Sequence, residues 1–273
     1  ASGSDSATAT VENTAPVMGG VSITPEDPNN DNTLTCSASA TDVDGDTPSI
    51  TYAWSTGATG AMLALTSATR PGDEITCTAT ATDTSGASDS GTASVTVINR
   101  LPTIASVTIS PEAPKTGDEV TCAAAGEADP DGEDVTLSYA WTINGDAAGT
   151  GSSLSTAINK DDVIICTVTA TDEFGDSTTG SDTVTVGNTA PELLTATLTP
   201  SPARTNDVLS VDYSTTDADG DAVSLSYSWY KNDEALSTTE TLSGVSSFDK
   251  GDEIRVTVTP SDESEAGSPV SVG

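Results

Sequence analysis

Apolar and polar positions alternate along most of this chain with a period of two residues. In the first third, Leu34, Cys36 and Ala38 are separated by polar positions, and Ile75, Cys77 and Ala79 follow the same rule. Such alternation places one face of an antiparallel strand in a core and the other in solvent. No segment carries a helical period of useful length. The pattern therefore predicts an all-β chain.

The alternating pattern repeats three times along the sequence. Trp54, Trp141 and Trp229 lie 87 and 88 residues apart, each at the end of a strand-like segment. A fixed period of this size indicates tandem copies of one small domain. About seven short strands per copy predict a two-sheet β-sandwich. The predicted boundaries are residues 14–99 for repeat 1, 100–187 for repeat 2 and 188–273 for repeat 3, with residues 1–13 as the closing strand of a preceding repeat.

Residues 7–13 match residues 93–99, the end of repeat 1, almost position for position. A lone strand leaves its backbone donors and acceptors unpaired, so we expect this one to pair with another sandwich. Repeat 3 of a second copy is one acceptor, which predicts end-to-end polymerisation by strand donation. A neighbouring repeat of one longer chain is the other, and both stay open.

A short Asn-x-x-Pro linker opens each repeat, at residues 13–16, 99–102 and 188–191. Proline fixes φ and has no N–H to give to a sheet. The linkers are therefore predicted to be stiff, extended crossings between successive repeats.

The cysteines flank the tryptophans in the first two repeats. Cys36 and Cys77 lie in the second and penultimate strand patterns of repeat 1, with Trp54 between them. Cys122 and Cys166 flank the tryptophan of repeat 2 in the same way. This arrangement resembles the immunoglobulin-like fold, and the chain is also similar to the PKD-type and cadherin-like repeats of bacterial extracellular surface proteins.

The resemblance implies tandem immunoglobulin-like sandwiches with an inter-sheet disulfide packed on the core tryptophan. The pairs would be Cys36–Cys77 and Cys122–Cys166, each stabilising its domain by about 4 kcal/mol in the chain-entropy model. Repeat 3 has valines at both cysteine positions, so we expect no disulfide there and compensating packing by Tyr213 and Phe248. Two disulfides imply an extracellular or cell-surface location. The alternative is four free buried thiols.

The charge balance is strongly acidic. Lys+Arg total 8 against 42 Asp+Glu, which gives a formal net charge of −34. Such a surface repels nucleic acid and anionic membranes and attracts cations. No run of 18 apolar residues occurs, so no membrane insertion is expected. Acidity alone often accompanies disorder, but the strict alternation and the recurring tryptophans favour a folded chain.

Each repeat also carries an Asp-x-Asp-Gly-Asp/Glu cluster before its tryptophan strand. In an immunoglobulin-like sandwich, the loop after the penultimate strand reaches the same end and adds another aspartate. Clustered carboxylates repel one another unless a hard cation lies among them, and Ca²⁺ prefers six to eight oxygens. The predicted calcium ligands are Asp42, Asp44, Asp46 and Asp83 in repeat 1, Asp129, Asp131, Glu133 and Asp172 in repeat 2, and Asp217, Asp219, Asp221 and Asp262 in repeat 3.

Two features qualify this metal prediction. Glycine is fourth in each cluster rather than sixth, so the loop is not an EF-hand. Asp and Gly also favour turns, so a solvated acidic turn is the alternative. The linker residues Asn13, Asn99 and Asn188 are expected to reach the same end, where each could supply an oxygen or cap a turn.

The sequence does not indicate an enzyme. Histidine is absent, which removes the commonest general base and the Ser-His-Asp arrangement, and no constellation is unique to one repeat. We predict an extracellular structural protein, a calcium-stiffened stalk or filament whose partners are further copies or neighbouring repeats. The alternatives are accessory repeats of a larger secreted protein, or an adhesin module that binds glycan or protein through Phe174, Tyr230 or Phe248.

Overall fold

The computed structural model describes residues 7–273, and its regular structure is almost entirely β. Residues 1–6 of the predicted closing strand lie outside the described part, and residues 7–16 form no strand in this single chain. The pairing of this segment therefore stays a prediction. Among residues 7–273, no helix is long and apolar enough to span a membrane.

The chain divides into two compact units. The first comprises Ala1–Thr103, Gly126–Thr136 and Ala170–Thr178, and the second comprises Ile104–Ala125, Leu137–Thr169 and Thr179–Gly273. Repeat 1 thus shares a unit with two loop segments of repeat 2, and the rest of repeat 2 shares a unit with repeat 3.

Repeat 1 has six strands in two sheets. The strands are β1 (Val17–Thr24), β2 (Thr33–Thr41), β3 (Ser49–Trp54), β4 (Met62–Ala64), β5 (Glu74–Thr82) and β6 (Ser88–Thr96). Their order is β1-β2-β4 in one sheet and β3-β5-β6 in the other, with antiparallel pairing throughout.

Repeat 2 has seven strands in the same arrangement. They are β7 (Ser106–Ser110), β8 (Val120–Ala125), β9 (Thr136–Ile143), β10 (Asp146–Thr150), β11 (Ser153–Leu154), β12 (Val163–Thr171) and β13 (Ser177–Thr185). The sheet orders are β11-β8-β7 and β10-β9-β12-β13. The extra strand β10 extends the tryptophan sheet.

Repeat 3 also has seven strands and one helical turn. They are β14 (Glu192–Thr199), β15 (Val208–Thr216), β16 (Ser224–Lys231), β17 (Glu234–Ser237), β18 (Leu242–Ser243), α1 (Gly244–Ser247), β19 (Ile254–Ser261) and β20 (Val270–Val272). The sheet orders are β14-β15-β18 and β17-β16-β19-β20.

One apolar core lies in each repeat around its tryptophan. Trp54, Trp141 and Trp229 are buried, and each indole N–H donates to a loop carbonyl, on Gly60, Gly151 and Thr239 respectively. The bond keeps the one polar atom of the ring satisfied inside the core. The predicted all-β sandwich class is confirmed.

The disulfides are the predicted Cys36–Cys77 and Cys122–Cys166 pairs, with sequence separations of 41 and 44. In repeat 3 a buried Val256 lies opposite Trp229, as Cys77 lies opposite Trp54 in repeat 1. Phe248 joins this third core as expected. Tyr213 does not, because it lies beyond the buried positions Leu209 and Val211 of its strand and is 51% exposed.

Candidate metal centres

Each repeat gathers acidic residues at the end where its linker enters, which we call the linker face. It contains an acid loop (residues 42–46, 129–133 or 217–221) and an aspartate turn (residues 83–87, 172–176 or 262–265). The acid loops reverse direction at Gly45, Gly132 and Gly220, whose φ angles are +87°, +87° and +79°. Only glycine adopts this backbone at low cost, which explains its fixed place in the motif.

The first aspartate of each acid loop holds the loop in shape. One of its oxygens accepts the backbone N–H two residues ahead, between Asp42 and Asp44 (2.7 Å), Asp129 and Asp131 (2.7 Å), and Asp217 and Asp219 (2.9 Å). These are Asx turns. The second aspartate then accepts the linker N–H: Asp44 from Thr14, Asp131 from Arg100 and Asp219 from Thr189.

The aspartate turn fixes the linker asparagine. Nδ2 of Asn13, Asn99 and Asn188 donates to Asp83 (2.8 Å), Asp172 (2.9 Å) and Asp262 (2.9 Å) respectively. The other oxygen of each aspartate accepts two backbone N–H groups of its own turn. The asparagines thus cap the turns, one of the two roles considered from the sequence.

These bonds shift the acidity of the three turn aspartates. The Asn13 amide lowers the pKa of Asp83, and the Asn188 amide lowers that of Asp262. Burial alone would raise the pKa of Asp172, but the hydrogen bonds from Asn99 and from the turn backbone outweigh it and lower the pKa. All three side chains are therefore held as carboxylates, the form that a metal ion needs.

Not every predicted ligand joins a cluster. In repeat 2, Asp129, Glu133 and Asp172 offer oxygens within 4.8 Å of one another, and in repeat 3 Asp217, Asp219 and Asp221 do so. Asp131 and Asp262 belong to the same faces but not to these groups. In repeat 1, Asp42, Asp44, Asp46 and Asp83 share the linker face, where the Thr84 hydroxyl donates to Asp46 over 3.2 Å.

Several oxygens at these faces are buried and accept no hydrogen bond from any described residue. One oxygen of the first acid-loop aspartate is in this state in all three repeats, on Asp42, Asp129 and Asp217. Repeat 2 adds both carboxylate oxygens of Glu133 and Oδ1 of Asn99. Buried oxygens normally have a partner, so this set of hard donors fits a bound cation.

At the first junction, an arginine neutralises part of the acid loop. We define this junction as linker 99–102, the turns 29–32 and 70–73 of repeat 1, and the linker face of repeat 2. Arg100 Nε lies 3.0 Å from Asp131, whose side chain is fully buried, and the other guanidinium nitrogens reach Asp31 (3.0 Å), Asn30 (2.8 Å) and the Pro130 carbonyl (2.6 Å). Glu133 receives none of these donors.

Repeat 1 also contacts this acid loop directly. The buried Asn30 donates to the Asp131 carbonyl over 2.8 Å, and Arg70 lies 2.5 Å from Glu173 in an exposed ion pair. The residues 29–32 and 70–73 therefore form a surface against which the next linker face packs.

At the second junction, a lysine enters the carboxylate cluster itself. This junction is linker 188–191, the turns 115–118 and 159–162 of repeat 2, and the linker face of repeat 3. Lys160 Nζ lies 2.7 Å from Asp221 and 2.8 Å from Asn188 Oδ1. The Thr116 hydroxyl donates to Asp219, and Lys115 lies 3.5 Å from Glu265.

The two clusters consequently differ in electrostatics. Burial and the negative charge of Asp129 raise the pKa of Glu133, because the site holds more negative charge than its neighbours compensate. The hydrogen bond to Asp221 raises the pKa of Lys160, because that cluster stabilises the ammonium form. Both clusters carry an excess of negative charge, and at the second junction the ammonium group of Lys160 offsets part of it.

The basic and amide residues of the junctions were missed by sequence reasoning. Arg70, Arg100, Lys115 and Lys160 are half of the 8 Lys+Arg residues, and each pairs with a carboxylate at a junction. In so acidic a chain, the position of the rare cations was a usable indication. Nothing in the sequence distinguishes Asn30 and Thr116 from the many other polar residues of the chain.

Comparison with known proteins finds only remote structural similarities. No protein-family model and no curated protein matches the sequence. A bacterial ice-binding adhesin of 1.5 MDa is similar at 14% identity, over 95% of this chain and 96% of that chain, with a TM-score of 0.33. The insect immune protein hemolin is similar at 13% identity, over 92% of this chain and 74% of that chain, with a TM-score of 0.37. A Ca²⁺-stabilised adhesin of an Antarctic bacterium is similar at 18% identity, over 96% of this chain and 73% of that chain, with a TM-score of 0.30.

Proposed function

We propose that the chain is an extracellular structural protein, a stalk or filament of immunoglobulin-like repeats stiffened by calcium at its linker faces. The two buried disulfides support a location in an oxidising environment at the cell surface or outside the cell. The repeats supply an assembly surface rather than a catalytic one, because the same polar groups recur at each linker face.

The unpartnered oxygens at the first junction carry the calcium proposal. Asp129, Glu133 and Asn99 together present four buried oxygens that accept no hydrogen bond from the described residues. Asp172 adds a carboxylate that its hydrogen bonds keep ionised. Carboxylate and amide oxygens are the ligands that Ca²⁺ takes, and its flexible coordination suits a site formed by three separate chain segments.

A cation here would act mechanically. The ligands come from linker 99–102 and from two loops of repeat 2, so one ion would tie the linker to the domain it enters. It would also relieve the repulsion among carboxylates in a chain of net charge −34. The bending freedom of the linker would then depend on calcium.

End-to-end polymerisation through residues 1–13 is part of the proposed assembly. Val11 is 90% exposed in the single chain although it matches Val97, which is buried in repeat 1. An apolar residue at a strand-like position without a core to enter suits donation to another sandwich. The alternative is that the strand pairs with a neighbouring repeat of one longer chain, to which it is covalently connected.

The adhesin alternative finds less support among the aromatic side chains. Phe248 is buried in the third core, and Tyr230 is covered by Arg255, whose guanidinium carbon lies 4.2 Å from the ring centroid. Phe174 is 50% exposed in an aspartate turn. The three do not form the shared platform that glycan stacking would need.

Thermal unfolding of the full chain in calcium, in magnesium and in chelator tests the proposal. A ligand that binds only the folded form stabilises it by about 2.7 kcal/mol at a hundredfold excess over its Kd. Calcium should raise the melting temperature progressively, and magnesium should do so less, because it demands a tighter octahedral site. Identical melting in all three conditions would mean that the acid loops are turns only.

A further inference from the structure

The turn 159–162 of repeat 2, which carries Lys160, has an equivalent in each of the other repeats. The N–H of its last residue donates to the carbonyl of its first, from Asp73 to Arg70, from Asp162 to Asn159 and from Asp252 to Asp249. One carboxylate oxygen of the same aspartate accepts the N–H of the first residue, over 2.8, 2.8 and 2.9 Å respectively. Pro71, Lys160 and Lys250 therefore occupy the same place in three equivalent turns.

In repeat 2 the other oxygen of the turn aspartate is bound by an asparagine side chain. Asn144 Nδ2 donates to Asp162 Oδ1 over 2.7 Å, and Asn144 Oδ1 accepts the N–H of Val163 over 2.9 Å. The backbone N–H of Asn144 also donates to the Val163 carbonyl over 2.9 Å. Asn144 lies between β9 and β10, so its carboxamide fastens this hairpin to the turn that carries Lys160. We call the two side-chain bonds the carboxamide clamp.

Asn144 is followed by Gly145, and this is the single Asn-Gly step in the sequence. Their φ angles are 53° and 88°, as the two central residues of a tight hairpin turn require, and Asn-Gly is the preferred pair for that turn. The same pair is chemically labile. Glycine has no side chain to hinder its backbone nitrogen when that nitrogen approaches the carboxamide of the preceding residue.

We propose that Asn144 is a deamidation site, which the carboxamide clamp protects and whose conversion breaks the clamp. The Gly145 nitrogen forms a bond to Cγ of Asn144, the Cγ–Nδ2 bond breaks, and the proton of the Gly145 N–H leaves with the amide nitrogen as ammonia. Water then opens the cyclic imide at one of its two carbonyls, which leaves aspartate or isoaspartate at this position. Asn144 and Gly145 are both exposed, so water has access to them.

The clamp slows the first step because it holds both polar atoms of the carboxamide. Attack requires Cγ to be presented to the Gly145 nitrogen in one orientation. Rotation of the carboxamide into that orientation breaks its bonds to Asp162 and Val163. The folded chain should therefore deamidate at Asn144 more slowly than the unfolded chain.

Conversion of Asn144 replaces a hydrogen-bond donor with a second carboxylate. That carboxylate would face Asp162 with no proton between the two groups, and like charges at this distance repel. Asp162 also holds the turn around Lys160, whose ammonium binds Asp221. Deamidation should therefore loosen the β9–β10 hairpin and, through turn 159–162, the second junction.

Repeat 3 has the same clamp on a less reactive sequence. Asn232 Nδ2 donates to Asp252 Oδ1 over 3.0 Å, and Asn232 Oδ1 accepts the N–H of Glu253 over 2.9 Å. The residue after Asn232 is Asp233, whose side chain hinders attack by its own backbone nitrogen. Asn232 is therefore an internal reference for the reactivity of Asn144.

Peptide mapping by mass spectrometry tests the protection by the clamp. The full chain is incubated in warm, mildly alkaline buffer with chelator, and deamidation is followed at each asparagine. Asp162→Ala should raise the rate at Asn144 several-fold and leave the rate at Asn232 unchanged. Asp162→Asn, whose amide oxygen can still accept the hydrogen bond, should retain part of the protection. Asp146→Ala removes an exposed carboxylate of the same hairpin and should react like the natural chain.

Denaturant separates the clamp from the intrinsic reactivity. There the natural and Asp162→Ala chains should deamidate equally fast at Asn144, and faster than at Asn232. Asn144→Asp reproduces the product and should lower the melting temperature of the folded chain. Asn144→Gly removes the clamp without adding charge, so its melting temperature should lie between the two. Equal rates for the folded natural and Asp162→Ala chains, or an Asn144→Asp chain that melts like the natural one, would overturn the proposal.

Discussion

The first and second junctions are formed by the same backbone hydrogen bonds, yet their carboxylates are neutralised differently. At the second, Lys160 reaches into the cluster and binds Asp221 and the linker asparagine. At the first, the equivalent residue is Pro71, which has no charge to offer, and the two oxygens of Glu133 accept no hydrogen bond from the described residues. One motif thus takes its cation from the chain in one place and, we infer, from solution in the other.

Arg100 does not neutralise the carboxylate of Glu133. Its guanidinium hydrogen-bonds Asp131, Asp31 and Asn30, and it forms no hydrogen bond with Glu133. Arg100 joins the two repeats, whereas the negative charge around Glu133 is offset only in part, by Arg70. The second junction combines both tasks near Lys160, with Thr189 in the linker position of Arg100.

The largest effect is expected from Arg100→Thr, which gives the first linker the residue of the other two. The fully buried Asp131 side chain would lose its ion pair, and breaking a buried pair costs about 3 kcal/mol. Chemical unfolding should report this loss as a lower free energy of unfolding. Arg70→Gln is the matched control, because its pair with Glu173 is exposed and should contribute at most about 0.5 kcal/mol. Equal losses for both variants would refute the assigned role of Arg100.

Calcium removal should act mainly through Glu133. In calcium, Glu133→Gln should lose most of the stabilisation by the ion, which is about 2.7 kcal/mol at a hundredfold excess over Kd. In chelator the sign should reverse, because the variant removes an unpaired buried charge and should melt above the natural chain. The exposed neighbour Asp134 provides the control Asp134→Asn, for which neither change is expected. A Glu133→Gln chain that is stabilised by calcium as much as the natural chain would show that Glu133 is not a calcium ligand.

Lys160→Gln should have a smaller effect, because Lys160 and Asp221 are both partly exposed. In chelator the variant should melt below the natural chain, since its acid cluster loses the ammonium group. Calcium should remove this difference in melting temperature if the ion can take the place of the side chain. Lys115→Gln, which breaks an exposed pair with Glu265, should show no such recovery. Unrecovered loss would show that Lys160 does more than supply charge.

The smallest effect is a dependence on high pH confined to the second junction. The pKa of Lys160 is raised in the folded chain, so its contribution is complete below the unfolded value of 10.5 and is lost as pH rises through the folded pKa. Arg100 stays charged over this range. The side-chain carboxamide ¹³C NMR signal should therefore move for Asn188 and stay constant for Asn99 above about pH 10.5. Parallel movement of both would mean general loosening rather than titration of Lys160.

The fold was largely readable from the sequence, because each of its decisive features is local. The alternation around Cys36 and Cys77 fixed which side chains face inward, and the tryptophan spacing gave the repeat length. The acid loops were also recognisable, since Gly132 and its neighbours occur in a set order. Tyr213 was misplaced because it alternates in step with Leu209 and Val211 but lies beyond the buried part of its strand, and the alternation does not show where burial stops.

The differences between the junctions could not be read in the same way. Lys160 and Pro71 are equivalent only once the turns that carry them are seen to share their hydrogen bonds. Asn30 donates a hydrogen bond to the Asp131 carbonyl, which is 101 residues away in sequence, so no local pattern predicts the contact. The three acid clusters therefore look equal in the sequence, although among residues 7–273 only that of repeat 2 has unpartnered oxygens on three different side chains.

The most direct test of the account is a calcium titration followed by the side-chain amide NMR signals of Asn99 and Asn188. Oδ1 of Asn99 is buried and accepts no hydrogen bond from residues 7–273, whereas Oδ1 of Asn188 accepts one from Lys160. We predict that the Asn99 signals shift to saturation at calcium concentrations that leave the Asn188 signals unchanged. Equal shifts at both asparagines, or no saturable shift at Asn99, would contradict the central claim.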